Sequence, residues 1–461
     1  MLLWLSPTLV MAADLDGRTL SPVWAIPFMG LLLSIAVGPL LFAHFWHSHF
    51  GKIALAWALA FLLPFAIVFG SWTAAAGTVH AMLEEYIPFI ALLTALFVVA
   101  GGICVRGELR GTPGLNTGLL ALGTLLASVM GTTGASMLLI RPLIRANENR
   151  RHAVHIVVFF IFLVANAGGA LTPLGDPPLF LGFLKGVDFF WTMQNIFWHT
   201  LFICTALLLI FYFLDRHYYF KREAPHPAQA DASAALRISF DGKFNFILLL
   251  AVVALVLMSG LWRPGIAFTV LGTPVALQNL LRDMALVLVI LLSLWLTPRS
   301  ARIGNDFGWG PILEVAKLFA GIFITIIPVI SMLRAGEAGA FGMVVRAVSG
   351  PDGQPINAMY FWVTGILSSF LDNAPTYLVF FNTASGDAST LMTSMASTLA
   401  AISAGAVFMG ANSYIGNAPN MMVKAIAEER GVRMPSFFGY MVWSLAILIP
   451  LFVIMTLLFF V

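Results

Sequence analysis

The chain has 461 residues, 60% of them hydrophobic and 10% charged, with a formal net charge of +3. Its apolar runs are long enough to cross a ~30 Å hydrocarbon core, which excludes a soluble globular domain and identifies a polytopic membrane protein. The basic residues are scattered among short loops, so no nucleic-acid-binding face is present, and Cys104 and Cys204 sit in separate apolar runs as small packing residues.

In chain order, residues 1–21 form a signal-like or periplasmic N-terminal segment, with an apolar run ending in Val10-Met11-Ala12-Ala13. Apolar spans follow at 22–43, 52–72 and 86–105, then a divided segment at 115–141, then spans at 154–184 and 189–214. His44, His47 and His49, with Phe45, Trp46 and Phe50, read as an interfacial aromatic belt where the first span ends. The polar stretch 215–243, with Pro225 and Pro227, reads as a cytoplasmic linker. The second half repeats the order, with spans at 244–262, 283–298 and 314–333, a divided segment at 357–384, and spans at 395–424 and 437–461.

Two motifs recur in one register. Gly169-Ala170-Leu171-Thr172-Pro173-Leu174-Gly175-Asp176-Pro177-Pro178 aligns without gaps on Gly410-Ala411-Asn412-Ser413-Tyr414-Ile415-Gly416-Asn417-Ala418-Pro419, and at the same offset of 241 residues Leu126-Ala127-Ser128 aligns on Leu367-Ser368-Ser369. This is an internal repeat, 22–214 and 244–461. The divided segments break at Gly131-Thr132-Thr133-Gly134 and at Asp372-Asn373-Ala374-Pro375. Limbs of about 12 to 15 residues rise only ~20 Å as helices, so both are read as re-entrant hairpins. The expected fold is therefore an all-α polytopic membrane protein of two inverted-topology repeats, each with five transmembrane helices, one re-entrant hairpin and an interrupted helix. With the N-terminus outside, 17 basic residues fall inside and six outside, with Lys317 left in a span, which agrees with the positive-inside rule.

Asp176 and Asp372 are the leading candidate site residues. A carboxylate at membrane depth costs roughly 2.5 to 3.5 kcal/mol on insertion scales, so it usually has a purpose and a partner. Helix capping is the alternative role, because each precedes a proline at the start of a helix. Around them the two halves supply Thr132, Thr133, Asn166, Thr172, Asn373, Asn412, Ser413 and Asn417. Their oxygens, with carbonyls freed by broken helices, suit a small hard cation such as Na⁺, although short polar side chains also hydrogen-bond between packed helices. Lys317, three residues after Glu314, is either an ion-pair partner of that glutamate or a charge partner for the site. No HExxH, P-loop or GxSxG pattern starts an enzyme argument, and no cofactor or resident metal is expected beyond the Na⁺ site.

These motifs resemble the ion transporter superfamily, which includes NhaD-type sodium/proton antiporters, arsenite permeases and citrate or dicarboxylate carriers. Asn166-Ala167-Gly168-Gly169 running into Thr172-Pro173-Leu174-Gly175-Asp176 is similar to the NhaD pattern, as is Ser369-Phe370-Leu371-Asp372-Asn373-Ala374-Pro375. The chain departs from that pattern at Pro177-Pro178 and at Asn417-Ala418-Pro419-Asn420, and neither hairpin tip carries the Ser-Asn-Thr signature of dicarboxylate carriers. The resemblance implies an inner-membrane antiporter exchanging Na⁺ or Li⁺ for H⁺ by alternating access, with small inorganic cations and the lipid bilayer as partners. Dimers are usual in that superfamily, which leaves a homodimer open. Two other readings stand beside it: a sodium-coupled carrier of citrate or another carboxylate, and a membrane-embedded enzyme or signalling protein on a transporter scaffold.

Overall fold

The computed structural model describes residues 15–107, 109–221 and 239–461. The apolar run at 2–13 and linker residues 222–238 lie outside the described residues. The chain is mostly helical, and among the described residues nine helices are long and apolar enough to cross a membrane, or ten if one bent pair counts as a span. Large apolar side chains point outward from them: Ile67 is 84% exposed, Trp295 80% and Phe438 77%. Apolar surface on this scale needs a hydrocarbon solvent, as expected of a polytopic membrane protein.

Several boundaries differ from the sequence reading. Helix Ala43–Phe69 is followed at once by Ser71–Ala81, a π-turn at Met82–Tyr86 and helix Ile87–Ala100, so the third span starts near Ser71 rather than residue 86. Helix Leu277–Leu296 starts before 283, and Gly310–Thr325 meets Ile327–Arg334 at a 46° bend, where Pro328 removes a helical donor. Trp191–Lys221 continues seven residues past 214. The fold is not wholly helical. Cys104–Arg106 pairs antiparallel with Ser239–Asp241, and Ala267–Val270 pairs with Thr273–Ala276 around a two-residue turn. In that turn Leu271 and Gly272 both have positive φ, 48° and 84°, the conformation that matches the twist of a tight hairpin.

The first divided segment is a helical hairpin, Pro113–Met130 and Thr132–Ala146. Thr112 caps it by accepting from Leu115 N at 3.3 Å, and Pro113 stands at the first helical position, so the limb begins earlier than 115. Its 18 residues rise ~27 Å, which corrects the expectation of two short limbs. The tip is Gly131 at φ +80°, a left-handed conformation that favours glycine. The second hairpin, Asn357–Phe370 and Asn373–Ala384, is shorter, with 14 and 12 residues.

Each hairpin is followed by a helix that breaks. The first runs Val154–Leu163, passes through a 3₁₀ turn at Ala167–Leu171 and resumes at Pro177–Leu184; the second runs Ala396–Met409, turns at Gly410–Asn412 and resumes at Ala418–Glu429. The packing is crosswise. Thr132–Ala146 packs against Ala418–Glu429, and Asn373–Ala384 packs against Pro177–Leu184. Both hairpin tips and both breaks therefore converge. A second group of helices, including Ile26–Leu41, Ala43–Phe69 and Gly310–Thr325, packs beside this body, with Phe89 stacked on Phe319 and edge-on to Phe323.

Candidate functional site

The two breaks are held open by the same bonds. Thr172 Oγ1 donates to Ser128 O and Ser413 Oγ to Ser369 O, while Leu174 N and Ile415 N each donate back to those hydroxyls at 3.2 Å. Ser128 Oγ donates to Gly168 O at 2.5 Å, and Ser369 Oγ to Met409 O at 3.1 Å. Every one of these pairs stands 241 residues apart. The hydroxyls replace helical partners that the broken backbone has lost. Glycine lets the strands of each break touch: a Cβ on Gly175 would lie 2.1 Å from Gly169 O, and one on Gly416 would lie 2.5 Å from Gly410 O.

At the crossing point stands Asp176, 2% exposed. It occupies the N-cap position of Pro177–Leu184 with extended backbone, yet its side chain makes no cap bond. Oδ1 instead accepts from Thr132 Oγ1 at 3.1 Å and from Asn417 Nδ2 at 3.2 Å, and Oδ2 accepts from Asn373 Nδ2 at 2.5 Å. One carboxylate thus gathers both hairpin tips and the second break. Hydrogen bonds to a charged acceptor contribute about 1.5–3 kcal/mol each, enough to offset much of its desolvation. Asn417, at the position matching Asp176, has the same extended backbone and also donates to Ala165 O and Asn166 Oδ1. Asn166 in turn donates to Asn420 Oδ1 at 2.8 Å, and Asn420 donates to Gly410 O and Ser413 O.

Asp372 has a different post. It caps its own helix, accepting from Ala374 N at 3.1 Å, and lines the same cavity as Asp176. Asn373 Oδ1 and Asn412 Oδ1 are buried acceptors with no hydrogen-bond partner, and Asn412 Nδ2 donates to Ser369 Oγ at 2.9 Å. The free amide oxygen of Asn373, whose Nδ2 donates to Asp176, and that carboxylate are donors of the kind that fits a hard cation. Lys317 stands apart. It is exposed, its ammonium 5.4 Å from the Phe50 ring centre, and it does not line this cavity.

The cavity has a volume of 610 Å³ and is walled by Gly131, Thr132, Thr133, Gly134, Asp176, Asp372 and Asn417 at its polar end. Leu96, Phe97, Phe180, Phe319 and Met422 form apolar walls, and Arg141, Asp306, Glu314 and Glu429 also line it. Thr133 and Gly134 belong to the first turn of a helix, where amides lack intrahelical acceptors and the helix dipole favours anions. A family model described as "Putative citrate transport" matches residues 17–460. The chain belongs to that family. No curated protein matches it. Family members are transporters by description, and this member's cavity has the volume of a small-molecule site.

Sequence reasoning named most of the polar lining of this cavity and did not single out Arg141, which it counted only among the 17 basic residues on the inside. The signal was available: Arg141 interrupts the apolar run Met137-Leu138-Leu139-Ile140, one residue before Pro142.

Proposed function

We propose that the protein is a secondary active carrier of citrate or a related carboxylate, coupled to Na⁺ and working by alternating access across the inner membrane. The observation that carries this reading is a 610 Å³ cavity ending on the Asp176 cluster, in a chain whose family is described by citrate transport. A bare cation needs no chamber of that size. Na⁺ would be held by Asp176 with Asn373 Oδ1 as a neighbouring ligand, and the carboxylate would meet the first-turn amides of Thr133 and Gly134 and the bound cation itself. The halves 22–214 and 244–461 are read as inverted repeats with the N-terminus outside, which supplies two equivalent states for a body of hairpins and broken helices moving beside the remaining helices.

Na⁺/H⁺ exchange is the second reading. It is favoured by the neutral donors around Asp176: no Lys or Arg among the described residues hydrogen-bonds to it. Proteoliposomes separate the two. Carboxylate transport requires labelled citrate to accumulate down an imposed Na⁺ gradient; exchange requires Na⁺ or Li⁺ to collapse a pH gradient with no carboxylate present. Accumulation of no carboxylate, with collapse by Na⁺ alone, would overturn the first reading.

A further inference from the structure

We infer that Arg141 is a separate anion-receiving subsite at the far end of the cavity, where a carboxylate of the substrate docks before it reaches the Asp176 cluster; this rests on the carboxylate reading above. Arg141 is 7% exposed and lines the cavity, yet it makes no hydrogen bond among the described residues, and its Nη1 is buried without a partner. Its neighbours are treated differently. Arg145 donates to Val105 O at 2.9 Å, and Arg302 donates to Val98 O at 2.8 Å, so both guanidinium groups have found backbone acceptors. The charge closest to Arg141 is Asp306, 3.8 Å from Nη2, beyond hydrogen-bond length, and its side chain is 72% exposed. Buried cations without hydrogen bonds are costly, so a site that keeps one is poised for an anion.

Geometry makes this a subsite rather than part of the Asp176 centre. Thr132 and Arg141 lie on one helix, nine residues apart, and so are separated by ~14 Å along its axis. That axial span exceeds the length of citrate, so the backbone of Arg141 stands at the other end of the cavity from the Asp176 cluster. Glu314, Glu429 and Asp306 also line the cavity, but Asp306 and Glu429 are exposed, and water screens their repulsion. The guanidinium field acts from a drier place and is screened less. A guanidinium also matches a carboxylate with two parallel donors, which an ammonium cannot do.

The test is uptake of labelled citrate by proteoliposomes carrying wild type, Arg141→Gln or Arg141→Lys, with KM and Vmax measured at saturating Na⁺ and the Na⁺ dependence measured at saturating citrate. The subsite predicts that Arg141→Gln raises KM for citrate tenfold or more, that Arg141→Lys raises it at least threefold, and that half-saturation by Na⁺ moves less than twofold in both. Wild-type uptake with KM unchanged in the variants would overturn the subsite and leave the carboxylate reading standing. Uptake by wild type of neither citrate nor any other labelled carboxylate offered would overturn both. Should Arg141→Gln fail to elute as a monodisperse species, Arg141→Lys decides alone: a KM within twofold of wild type rejects the subsite.

Discussion

Asp176 and Asp372 are both acidic, both precede helices, and are bonded in opposite ways. Asp176 turns its carboxylate away from its own helix and onto three other elements, whereas Asp372 spends its carboxylate on Ala374 N. Asparagine is as good a cap as aspartate, so Asp372→Asn should keep the hairpin tip and lower citrate uptake less than tenfold. Asp176→Asn keeps the shape but loses the charge that gathers the cluster; uptake should fall a hundredfold or more while the protein still elutes as a monodisperse species. Thr132→Val removes one bond to a charged acceptor, worth about 1.5–3 kcal/mol, and half-saturation by Na⁺ should rise tenfold or more. Equal losses in Asp176→Asn and Asp372→Asn would show that the bonding difference has no functional weight. Polar residues stranded in apolar runs made this cluster legible in the sequence. Their partners were not legible, since nothing local announces that Asn373 meets Asp176 across 197 residues.

The helices break where glycine, proline and short polar residues allow it, and those breaks were readable: Gly131, Thr172 to Asp176, and Asp372 to Pro375. Lengths were harder. The capped start at Thr112 and Pro113 adds a partial turn that hydropathy blurs, and the Leu271-Gly272 turn builds a strand pair from residues with ordinary loop composition. Touching backbones at the breaks give a direct test. Gly175→Ala forces a Cβ against Gly169 O, and Gly416→Ala forces one against Gly410 O. Overpacking of this kind costs about 1–3 kcal/mol, so both variants should unfold at lower temperature in a thermal-shift assay. Gly118→Ala, in a helix with open space around it, should hold or raise the unfolding temperature. If all three behave alike, close approach is not what the glycines provide.

At the scale of the whole molecule, the pair Lys185 with Glu85 joins the body of hairpins and broken helices to the helices beside it, while Arg141 and Asp306 face each other across the same seam at 3.8 Å, beyond hydrogen-bond length. Glu85 sits in the π-turn at Met82–Tyr86 and is 6% exposed, so its pairing with Lys185 is a buried contact. Alternating access by movement of this body, as proposed above, would have to break it. Glu85→Cys combined with Lys185→Cys, bridged by a thiol-reactive cross-linker, should stop uptake, and a reducible linker should restore it on cleavage. Cys104 and Cys204 are buried, which limits background reaction. Uptake that continues with the bridge in place would mean that the body does not slide at this seam.

The unequal pair Asp176 and Asn417 carries one more consequence. Had both positions kept an acid, the crossing point would need two positive charges before it could be neutral; with asparagine at one of them, a single monovalent cation balances Asp176. An unloaded centre would then carry an uncompensated carboxylate through the hydrocarbon, which disfavours cation-free transits relative to cation-loaded ones. Restraint on cation-free transit would thus come from the arithmetic of charge at one residue pair, with no dedicated latch.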